Sequence, residues 1–443
     1  MLISVLGTGY LGATHAACLA ASGHDVIGVD RAAERVATLR TGRAPFHENG
    51  LDELLAEGVE AGRLRFTDDI AEAAEAEVHF LCVGTPQCEG SGRADLTSLW
   101  SVVDALAPLL DQPCLVVGKS TVPVGTAAEV RERIHASAPV GSAVSVAWNP
   151  EFLREGRAVQ DTLRPDRLVL GVESPADQQL LRQVYADLVA AGVPVITTDL
   201  ATAELAKVSA NAMLATRLST VNLLAEVCEA SGADVGDLTT IIGSDPRIGR
   251  DFLTPGLGYG GGCLPKDTRA FIARARELGV GESTALLEAV DRVNAHQRDR
   301  ATAMALSLVE SSRGSGAHED GGVVAVLGGA FKAESDDVRD SPALDVAGRL
   351  HDAGVELRLH DPHAGDNVRR QRPELRVVDS VEGACAGADL VLVLTEWPQF
   401  AAIDPADLGE VVARRTVLDT RQVLSPDKWV AAGWDFHALG RGA

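Results

Sequence analysis

Residues 2–30 read LISVLGTGYLGATHAACLAASGHDVIGVD, and the order of features in this stretch decides the expected fold. The apolar run LISVL predicts a strand, a glycine-rich turn follows it, and the small residues after the turn are typical of a tightly packed helix. The run DVIGV predicts a second strand, which ends at Asp30. Such glycines allow a pyrophosphate to approach closely, a helix N-terminus favours its charge, and a carboxylate after the second strand can bind ribose hydroxyls. The stretch therefore predicts a dinucleotide-binding unit.

The residues expected to contact the dinucleotide follow from this order of elements. They are Gly7, Gly9, Tyr10, Leu11, Gly12 and Asp30, together with Thr85 and Pro86 at the end of a later strand. Asp30 would repel the 2′-phosphate of NADP, which favours NAD as the cofactor. Arg31 beside it carries the opposite charge, so NADP stays open on the sequence.

The pattern of strand and helix continues along the chain. Apolar strands are predicted within EVHFLCVGTP, CLVVGKSTVP, AVSVAWNP and RLVLGV, with helical stretches between several of them. This alternation predicts a parallel sheet covered by helices, with ligands at the carboxyl ends of its strands. From about Thr202 a helical pattern runs without proline or glycine as far as Gly232, and we expect this helix to connect two halves of the chain and to offer a dimer surface.

A second α/β unit is predicted near the C-terminus. Its strands lie within VVAVLGGAF, VELRLHDP, ADLVLVLTEW and TVLDTRQVL, and its Gly328-Gly329 turn is not a full glycine fingerprint. The segment SSRGSGAHEDGG at 311–322 predicts a mobile surface loop. The expected fold class is therefore α/β, with two Rossmann-like doubly wound domains joined by a long central helix and a helical dimerisation region. Two such domains imply two nucleotide ligands that meet in a cleft.

Composition and charge exclude several classes of function. The formal net charge of −23 repels nucleic acid and anionic lipid surfaces. No apolar stretch approaches the roughly 20 residues of a membrane span, and the N-terminus lacks the basic region of a signal peptide. The seven cysteines are scattered without CxxC pairs, which argues against a disulfide framework or a zinc site and favours the cytoplasm. No metal ligand set is expected.

One cysteine stands out by its surroundings. Residues 254–267 read TPGLGYGGGCLPKD, so that Cys263 follows three consecutive glycines. Glycine costs backbone entropy and packs no side chain, which means that a loop of this kind requires unusual dihedral angles or a close backbone approach. The more common fate of a cysteine is to be buried and inert.

Several motifs in order resemble the nucleotide-sugar 6-dehydrogenase family, and within it the UDP-glucose branch. They are GTGYLG, the VGTP turn, STVPVGT, NPEFLREG, the helix with Glu204-Leu205-Ala206-Lys207 and Asn211, RIG at 247–249, GYGGGCLPKD, FKAESDDVRDSPA and LDTRQVL. The resemblance covers nearly the whole chain. It implies oxidation of a sugar primary alcohol to a carboxylate through an aldehyde, with two NAD and one water. It also implies three domains: 1–200 for NAD binding, 201–300 for the central helix, dimerisation and the cysteine loop, and 301–443 for the UDP-sugar.

The resemblance implies catalytic roles for seven residues. Cys263 would be the nucleophile that forms a thiohemiacetal and then a thioester, because an aldehyde cannot give up a second hydride until a nucleophile adds to it. The glycines would let the loop approach the sugar. Lys207 and Asn211, four residues apart on a helix, would stabilise oxyanions, although a helical lysine is usually solvated. The others are Asp267 and Thr121, which would hold a water that accepts the first proton, and Glu151 and Glu155, of which either could activate the hydrolytic water.

The resemblance also implies the binding residues. Thr121, Glu155, Lys266 and Arg339 join the cofactor set. The substrate set is Glu151, Phe152, Leu153, Lys207, Asn211, Arg247, Phe252, Gly260, Lys332 and Arg421. Arg247 would reach into the sugar site of a neighbouring subunit, which implies a homodimer. The chain departs from the family pattern at Gly262, where a serine or a bulkier residue is common.

Alternatives to UDP-glucose oxidation stay open on the sequence. GDP-mannose 6-dehydrogenases share the cysteine and the lysine, and a dTDP-linked or N-acetylated sugar is also compatible with the motifs. A hydroxy-acid dehydrogenase would leave Cys263 without a role. A nucleotide-binding sensor would bind the cofactor without turnover.

Overall fold

The computed structural model describes residues 1–313 and 322–441, which divide into two compact units. One unit comprises Met1–Ala210 and Arg269–Gly279, and the other comprises Asn211–Thr268 and Val280–Ala443. The predicted loop at 311–322 falls mostly outside the described residues. Its first three residues instead end a helix, and 314–321 are not described.

The first unit alternates strands with helices. Its strands are β1 (Leu2–Leu6), β2 (Asp25–Val29), β3 (Leu64–Thr67), β4 (Val78–Leu81), β5 (Leu115–Gly118), β6 (Ser145–Trp148), β7 (Leu168–Gly171) and β8 (Val195–Thr198). Its helices are α1 (Tyr10–Ala21), α2 (Ala33–Arg40), α3 (Leu51–Glu60), α4 (Thr97–Leu106), α5 (Thr126–Ser137), α6 (Ala158–Leu163), α7 (Pro175–Val184) and α8 (Ala186–Ala190).

The remaining elements begin with a long helix. The helices are α9 (Leu200–Ser231), α10 (Val235–Gly243), α11 (Leu264–Glu277), α12 (Ala285–Arg313), α13 (Pro342–Asp352), α14 (Gly365–Gln371), α15 (Val381–Cys385), α16 (Pro398–Ala401), α17 (Pro405–Leu408) and α18 (Pro426–Ala431). The strands are β9 (Val323–Leu327), β10 (Glu356–His360), β11 (Leu390–Val393), β12 (Thr416–Asp419) and β13 (Asp435–Ala438).

The first sheet has the strand order β3-β2-β1-β4-β5-β6-β7-β8. Strands β1 to β6 pair in parallel, as the sequence predicts. The expectation of a wholly parallel sheet is wrong at β7, which pairs antiparallel to β6 through Trp148 and Gly171. The chain between these two strands contains only the six-residue helix α6 and does not return across the sheet, so β7 starts at the edge where β6 ends. The connecting segment carries the NPEFLREG motif along that edge.

Helix α1 packs tightly on the first sheet because its side chains are small. Ala13, Ala16 and Ala17 are fully buried, and they join one core with Ile3 and Val5 of β1. Apolar strands covered on both faces are typical of a parallel sheet with helices on each side. This packing fixes the N-terminus of α1 at the carboxyl end of β1, where a nucleotide site is expected.

The second sheet is parallel throughout, with the strand order β10-β9-β11-β12-β13. Its first turn is held by an acid at the end of the neighbouring strand, as in the first unit. Asp361, which follows β10, accepts hydrogen bonds from the backbone N–H of Gly329 at 2.7 Å and of Ala330 at 2.9 Å, and from Trp397 Nε1 at 3.1 Å. These bonds hold the turn after β9 to the end of β10.

Helix α9 confirms the long helix that the sequence predicts. Its 32 residues span about 48 Å at 1.5 Å per residue, and the chain leaves it at Gly232 with a φ of +73°. Among the side chains of α9, Met213, Leu223 and Val227 are exposed. Within residues 1–313 and 322–441, no helix combines the length and apolarity that a membrane crossing requires.

Candidate functional site

The three glycines of the first turn have different tasks. Gly7 has a φ of +91°, and its N–H donates to the carbonyl of Val29 at 2.8 Å. A Cβ on Gly12 would lie 1.8 Å from the carbonyl oxygen of Gly7, so the protein itself requires glycine there. A Cβ on Gly9 would meet nothing within 4 Å. The open space at Gly9 lies at the N-terminus of α1, and it fits a pyrophosphate held by backbone N–H groups.

Asp30 is held as an anion at the end of β2. Its carboxylate accepts hydrogen bonds from the N–H of Thr8 at 2.9 Å, from the N–H of Ala32 at 2.9 Å and from Arg35 Nη1 at 2.8 Å. Burial opposes ionisation, but these donors together hold the pKa of Asp30 below its usual range. No sequence signal distinguishes Arg35, and the ion-pair partner of Asp30 is Arg35 rather than the exposed Arg31.

Tyr10 connects the glycine turn to the NPEFLREG loop. Its hydroxyl donates to Glu48 Oε2, and the N–H of Gly156 donates to the Tyr10 hydroxyl at 2.8 Å and to Glu48 Oε2 at 2.7 Å. Burial and the neighbouring Glu48 raise the pKa of Tyr10, so its hydroxyl stays protonated. Glu48 is buried and was not among the expected site residues. Leu11 follows Tyr10 and is partly exposed.

The loops that follow β4 and β5 lie side by side at Thr85 and Thr121. Thr85 donates through Oγ1 to the carbonyl of Thr121 at 2.7 Å, and Pro86 follows directly. Glu204 of α9 accepts from the N–H of Gly125 at 2.8 Å and of Ala127 at 2.6 Å. It thereby satisfies backbone donors at the N-terminus of α5, directly after the STVP segment.

Lys207 and Glu151 form a buried ion pair in the first unit. Lys207 Nζ lies 3.1 Å from Glu151 Oε1, and the lysine is only 4% exposed. Glu151 Oε2 accepts from the N–H of Leu153 at 2.6 Å. The ring of Phe152 lies 5.9 Å from Lys207 Nζ, and Glu155 is partly buried on the same loop. The general expectation that a helical lysine is solvated does not apply to Lys207.

The glycines of the cysteine loop make room for protein groups. A Cβ on Gly260 would lie 2.3 Å from the carbonyl oxygen of Asp340, and one on Gly261 would lie 2.7 Å from the ring of Phe331. One on Gly262 would lie 2.4 Å from the guanidinium carbon of Arg339. Close packing of the loop on its own unit therefore gives these glycines a structural reason, and approach to a sugar stays a prediction.

Cys263 stands at the N-terminus of α11. Its carbonyl accepts from the N–H of Asp267 at 2.9 Å, which closes the first turn of the helix. A helix N-terminus favours negative charge and hence the thiolate form of a cysteine. Asp267 is 2% exposed, accepts from Asn211 Nδ2 at 2.6 Å and pairs with Lys266. The second unit therefore brings the cysteine, the aspartate and the asparagine to one helix start.

The expected substrate cations have different surroundings. Arg421 donates to the carbonyl of Leu394 at 2.8 Å and to that of Phe331 at 3.2 Å, so it ties loops of the second unit together. Lys332 Nζ lies 5.7 Å from the Phe331 ring. Arg339 pairs with Asp337, and Arg247 pairs with Asp245 while its side chain is 87% exposed.

Two further residues of the cysteine loop region have special positions. Phe252, after the RIG motif, has a φ of +56°. Arg298 of α12 was not among the expected residues, and it donates to the carbonyl of Tyr259 at 3.1 Å and pairs with Asp340 at 3.2 Å. A buried arginine of this kind gives no distinct signal in an amphipathic helix.

The site residues thus form two groups, one in each unit. Thr121 with Thr85, and Glu151 with Lys207, are joined within the first unit. Asn211 with Asp267, and Arg339 with the cysteine loop, are joined within the second. The residues that sequence reasoning missed are Arg35, Glu48, Glu204 and Arg298; of these only Glu204 lies within a motif that carried the resemblance.

Comparisons with known proteins agree with this arrangement. Three models of one family match the chain: the UDP-glucose/GDP-mannose dehydrogenase NAD binding domain at residues 1–189, its central domain at 201–296 and its UDP binding domain at 325–426. The chain is 38% identical over 444 residues to UDP-glucose 6-dehydrogenase of Rhizobium meliloti, with 100% of both chains covered. It is 40% identical to UDP-glucose 6-dehydrogenase of Pseudomonas aeruginosa, covering 100% of this chain and 98% of that one.

A solved structure supports the fold over its full length. A UDP-glucose dehydrogenase from the archaeon Pyrobaculum islandicum aligns with a TM-score of 0.89 and 34% identity, covering 100% of this chain and 98% of that chain. The N-terminal unit is accordingly an NAD-binding domain of Rossmann type, as its glycine turn and Asp30 predict. With all three domain models and full-length relatives in agreement, the chain belongs to the UDP-glucose/GDP-mannose dehydrogenase family.

Proposed function

We propose that this protein oxidises UDP-glucose to UDP-glucuronate with two NAD and one water. The observation that carries the proposal is Cys263 at the N-terminus of α11, one helical turn from the buried Asp267. A simple alcohol dehydrogenase needs no such nucleophile, whereas an oxidation that continues to the acid does. The names of the full-length relatives support UDP-glucose as the substrate.

The cofactor fits the first unit. Gly7, Gly9 and Gly12 would cradle its pyrophosphate, and Asp30 would accept hydrogen bonds from a ribose. Thr85, Pro86, Thr121, Glu155, Lys266 and Arg339 are the other proposed contacts, with Tyr10 and Leu11 at the helix start. Bound NAD supplies the acceptor for the hydride that the sugar carbon loses in each of two oxidations.

In the first oxidation, Asp267 and Thr121 hold a water, and this water takes the hydroxyl proton of the sugar. Asn211 is held by its bond to Asp267, so its amide is oriented before substrate binds. The Lys207 ammonium stabilises the negative charge that develops on the C6 oxygen, as preorganised donors do. The product of this step is an aldehyde.

Cys263 then converts the aldehyde into a form that can be oxidised again. Its thiolate adds to the carbonyl carbon, a C–S bond forms, and the oxyanion takes a proton to give a thiohemiacetal. The second oxidation leaves a thioester. Water adds to the thioester carbonyl, the C–S bond breaks, and Glu151 or Glu155 takes the proton from water as the thiolate leaves.

Substrate recognition is proposed for the second unit. The substrate residues there are Asn211, Arg247, Phe252, Gly260, Lys332 and Arg421, with Glu151, Phe152, Leu153 and Lys207 from the first. The exposed Arg247 supports a homodimer in which it reaches a neighbouring sugar site, and the exposed apolar side chains of α9 support a dimer surface. The three-domain division at 200 and 300 and a cytoplasmic location belong to this proposal as well.

Replacing the nucleophile tests the proposal. Cys263→Ser is expected to abolish release of UDP-glucuronate, because a serine hydroxyl stays protonated at neutral pH and is a poorer nucleophile and leaving group than a thiolate. Cys88→Ser is the matched control, since Cys88 is also partly exposed and belongs to none of the motifs that carry the proposed catalytic residues. Release of UDP-glucuronate by Cys263→Ser at the normal rate would refute the mechanism. Turnover of GDP-mannose but not UDP-glucose by the unmodified protein would overturn the substrate, and NAD binding without any turnover would favour a sensor.

A further inference from the structure

A cavity of about 250 Å³ lies behind the NPEFLREG loop, entirely within the first unit. Lys119, His15, Asn149 and Tyr185 line its interior, and Glu151 lines it as well. The exposed Arg164 and Asp166 stand among its outer lining residues, so the cavity reaches solvent. None of the catalytic steps above uses Lys119, His15 or Tyr185.

The interior of this cavity holds polar groups that the protein leaves unsatisfied. His15 is 1% exposed, and neither of its ring nitrogens has a hydrogen-bond partner among the described residues. Burial lowers the pKa of His15, so the ring is neutral and offers one donor and one acceptor. A buried donor or acceptor without a partner is costly, and a polar cavity of this size has room for several waters at roughly 30 Å³ each.

Lys119 is the buried cation of the cavity lining, which also includes the more exposed Arg154, Arg164 and Arg167. It is 6% exposed, and its Nζ donates to Asn149 Oδ1 at 2.8 Å. Tyr185 donates its hydroxyl to the same oxygen at 2.6 Å, and the Tyr185 ring lies 5.9 Å from Nζ. An ammonium has three donors, so after the bond to Asn149 it can still donate to water. Burial lowers the pKa of Lys119 to about 8, which leaves it largely charged at neutral pH.

Glu151 both lines the cavity and takes part in the proposed thioester hydrolysis. It lines the cavity, while its Oε1 pairs with Lys207 at 3.1 Å and its Oε2 accepts from Leu153. We propose that this cavity is the water reservoir for thioester hydrolysis, and that Lys119 orders the water that Glu151 activates. This inference rests on the proposed function, and it assigns Lys119 as a positioning residue.

The step balances without a further reactant. A water from the cavity adds its oxygen to the thioester carbonyl carbon and gives a proton to Glu151. The C–S bond then breaks, Cys263 leaves as thiolate, and the proton passes from Glu151 to the cavity water and out to solvent. Neither an oxidant nor a reductant takes part.

Lys119→Met keeps an unbranched side chain of nearly the same length and removes its donors. We expect the first two oxidations to proceed at the rate of the unmodified protein, as a burst of two NADH per active site. Hydrolysis is expected to slow at least tenfold, so that intact-mass measurement finds the acyl group on the protein. Hydroxylamine, a nucleophile that does not depend on ordered water, is expected to restore continuous NADH formation.

His15→Leu provides an independent second variant. It removes polar groups from the same cavity and is expected to slow hydrolysis in the same selective way. His79→Leu is its matched control, because His79 is also fully buried but does not line the cavity. If Lys119→Met does not fold, His15→Leu decides with the same measurements.

Two results would overturn the inference: an acyl intermediate that decays at the normal rate in the folded variant, or an equal slowing of the first oxidation and of hydrolysis. Failure of the proposed function itself is a separate result. It would appear in the unmodified protein as fewer than two NADH per UDP-glucose.

Discussion

The glycines of the GTGYLG turn are required for different reasons. Gly12 is required because a Cβ would overlap the Gly7 carbonyl at 1.8 Å, whereas Gly9 borders open space. Gly9 has a φ of −67° and an extended ψ, a conformation that alanine adopts without strain. The difference separates a requirement of the fold from a requirement of the ligand.

Alanine at each of these glycines tests that separation. Gly9→Ala is expected to unfold at the same urea concentration as the unmodified protein but to bind NAD at least tenfold more weakly, because a methyl group would occupy the pyrophosphate space. Gly12→Ala is expected to lower the unfolding midpoint strongly. Urea unfolding and an NAD titration measure both. Tight NAD binding by Gly9→Ala would contradict the assignment of this space.

The choice of cofactor is a second property of one residue. Asp30 is held ionised by Thr8, Ala32 and Arg35, so it is set to repel a 2′-phosphate. Asp30→Ser is expected to reduce the preference for NAD over NADP, expressed as the ratio of kcat/KM values, by tenfold or more. Arg31→Ala serves as the control and is expected to leave the ratio unchanged. A ratio that changes in Arg31→Ala but not in Asp30→Ser would show that Arg31, and not Asp30, sets the cofactor preference.

Site residues could be predicted where the sequence pattern that marks them lies close to them in the chain. The glycine turn and Asp30 follow from spacing, since strand, turn and helix are neighbours in the chain. Lys207 could not be recognised as buried from its helix, because its partner Glu151 lies far away in sequence. The packing of Gly260 to Gly262 against Asp340, Phe331 and Arg339 likewise depends on residues 70 to 80 positions later.

At the scale of elements, helix α9 supports a loop of the first sheet. Glu204 accepts from two backbone N–H groups at the start of α5, although burial raises its pKa to about 7. Glu204→Ala would leave both N–H groups buried without an acceptor. The free energy of unfolding is expected to fall by about 2 kcal/mol, and Glu204→Gln, which keeps one acceptor oxygen, by less. Urea unfolding measures the change, and equal stability of all three proteins would refute the role of Glu204.

The elements that the sequence predicted are those with continuous apolar runs. Strands β1, β2, β4, β5, β6, β7 and β9 to β12 all match such runs, and α9 matches its uninterrupted helical pattern. Strands β3, β8 and β13 were missed. All three lie at the edges of their sheets, and β8 has two exposed residues, so their composition carries little signal. The reversal at β7 depends on the path of the connecting loop, which strand patterns do not encode.

At the scale of the whole molecule, buried histidines predict how stability depends on pH. Burial lowers the pKa of His15 well below its usual value and lowers that of His79 to about 4. An unfolded histidine has a pKa near 6.5, so below this pH the unfolded chain binds more protons than the folded one. Their contribution is therefore complete above about pH 7 and is lost on acidification.

Unfolding in urea at pH 7.5 and 5.5 measures this dependence. Each histidine is expected to lower the free energy of unfolding by roughly 1 kcal/mol at pH 5.5. His79→Leu is expected to be less stable at pH 7.5 but to lose less stability on acidification. An equally steep loss in that variant would exclude the contribution of His79.

The four-electron oxidation through Cys263 can be measured as the number of NADH formed per mole of limiting UDP-glucose, with NAD in excess. We expect two NADH per UDP-glucose. Two NADH with GDP-mannose and none with UDP-glucose would keep the role of Cys263 and change the substrate. One NADH per UDP-glucose would mean that the reaction stops at the aldehyde, and it would contradict the account.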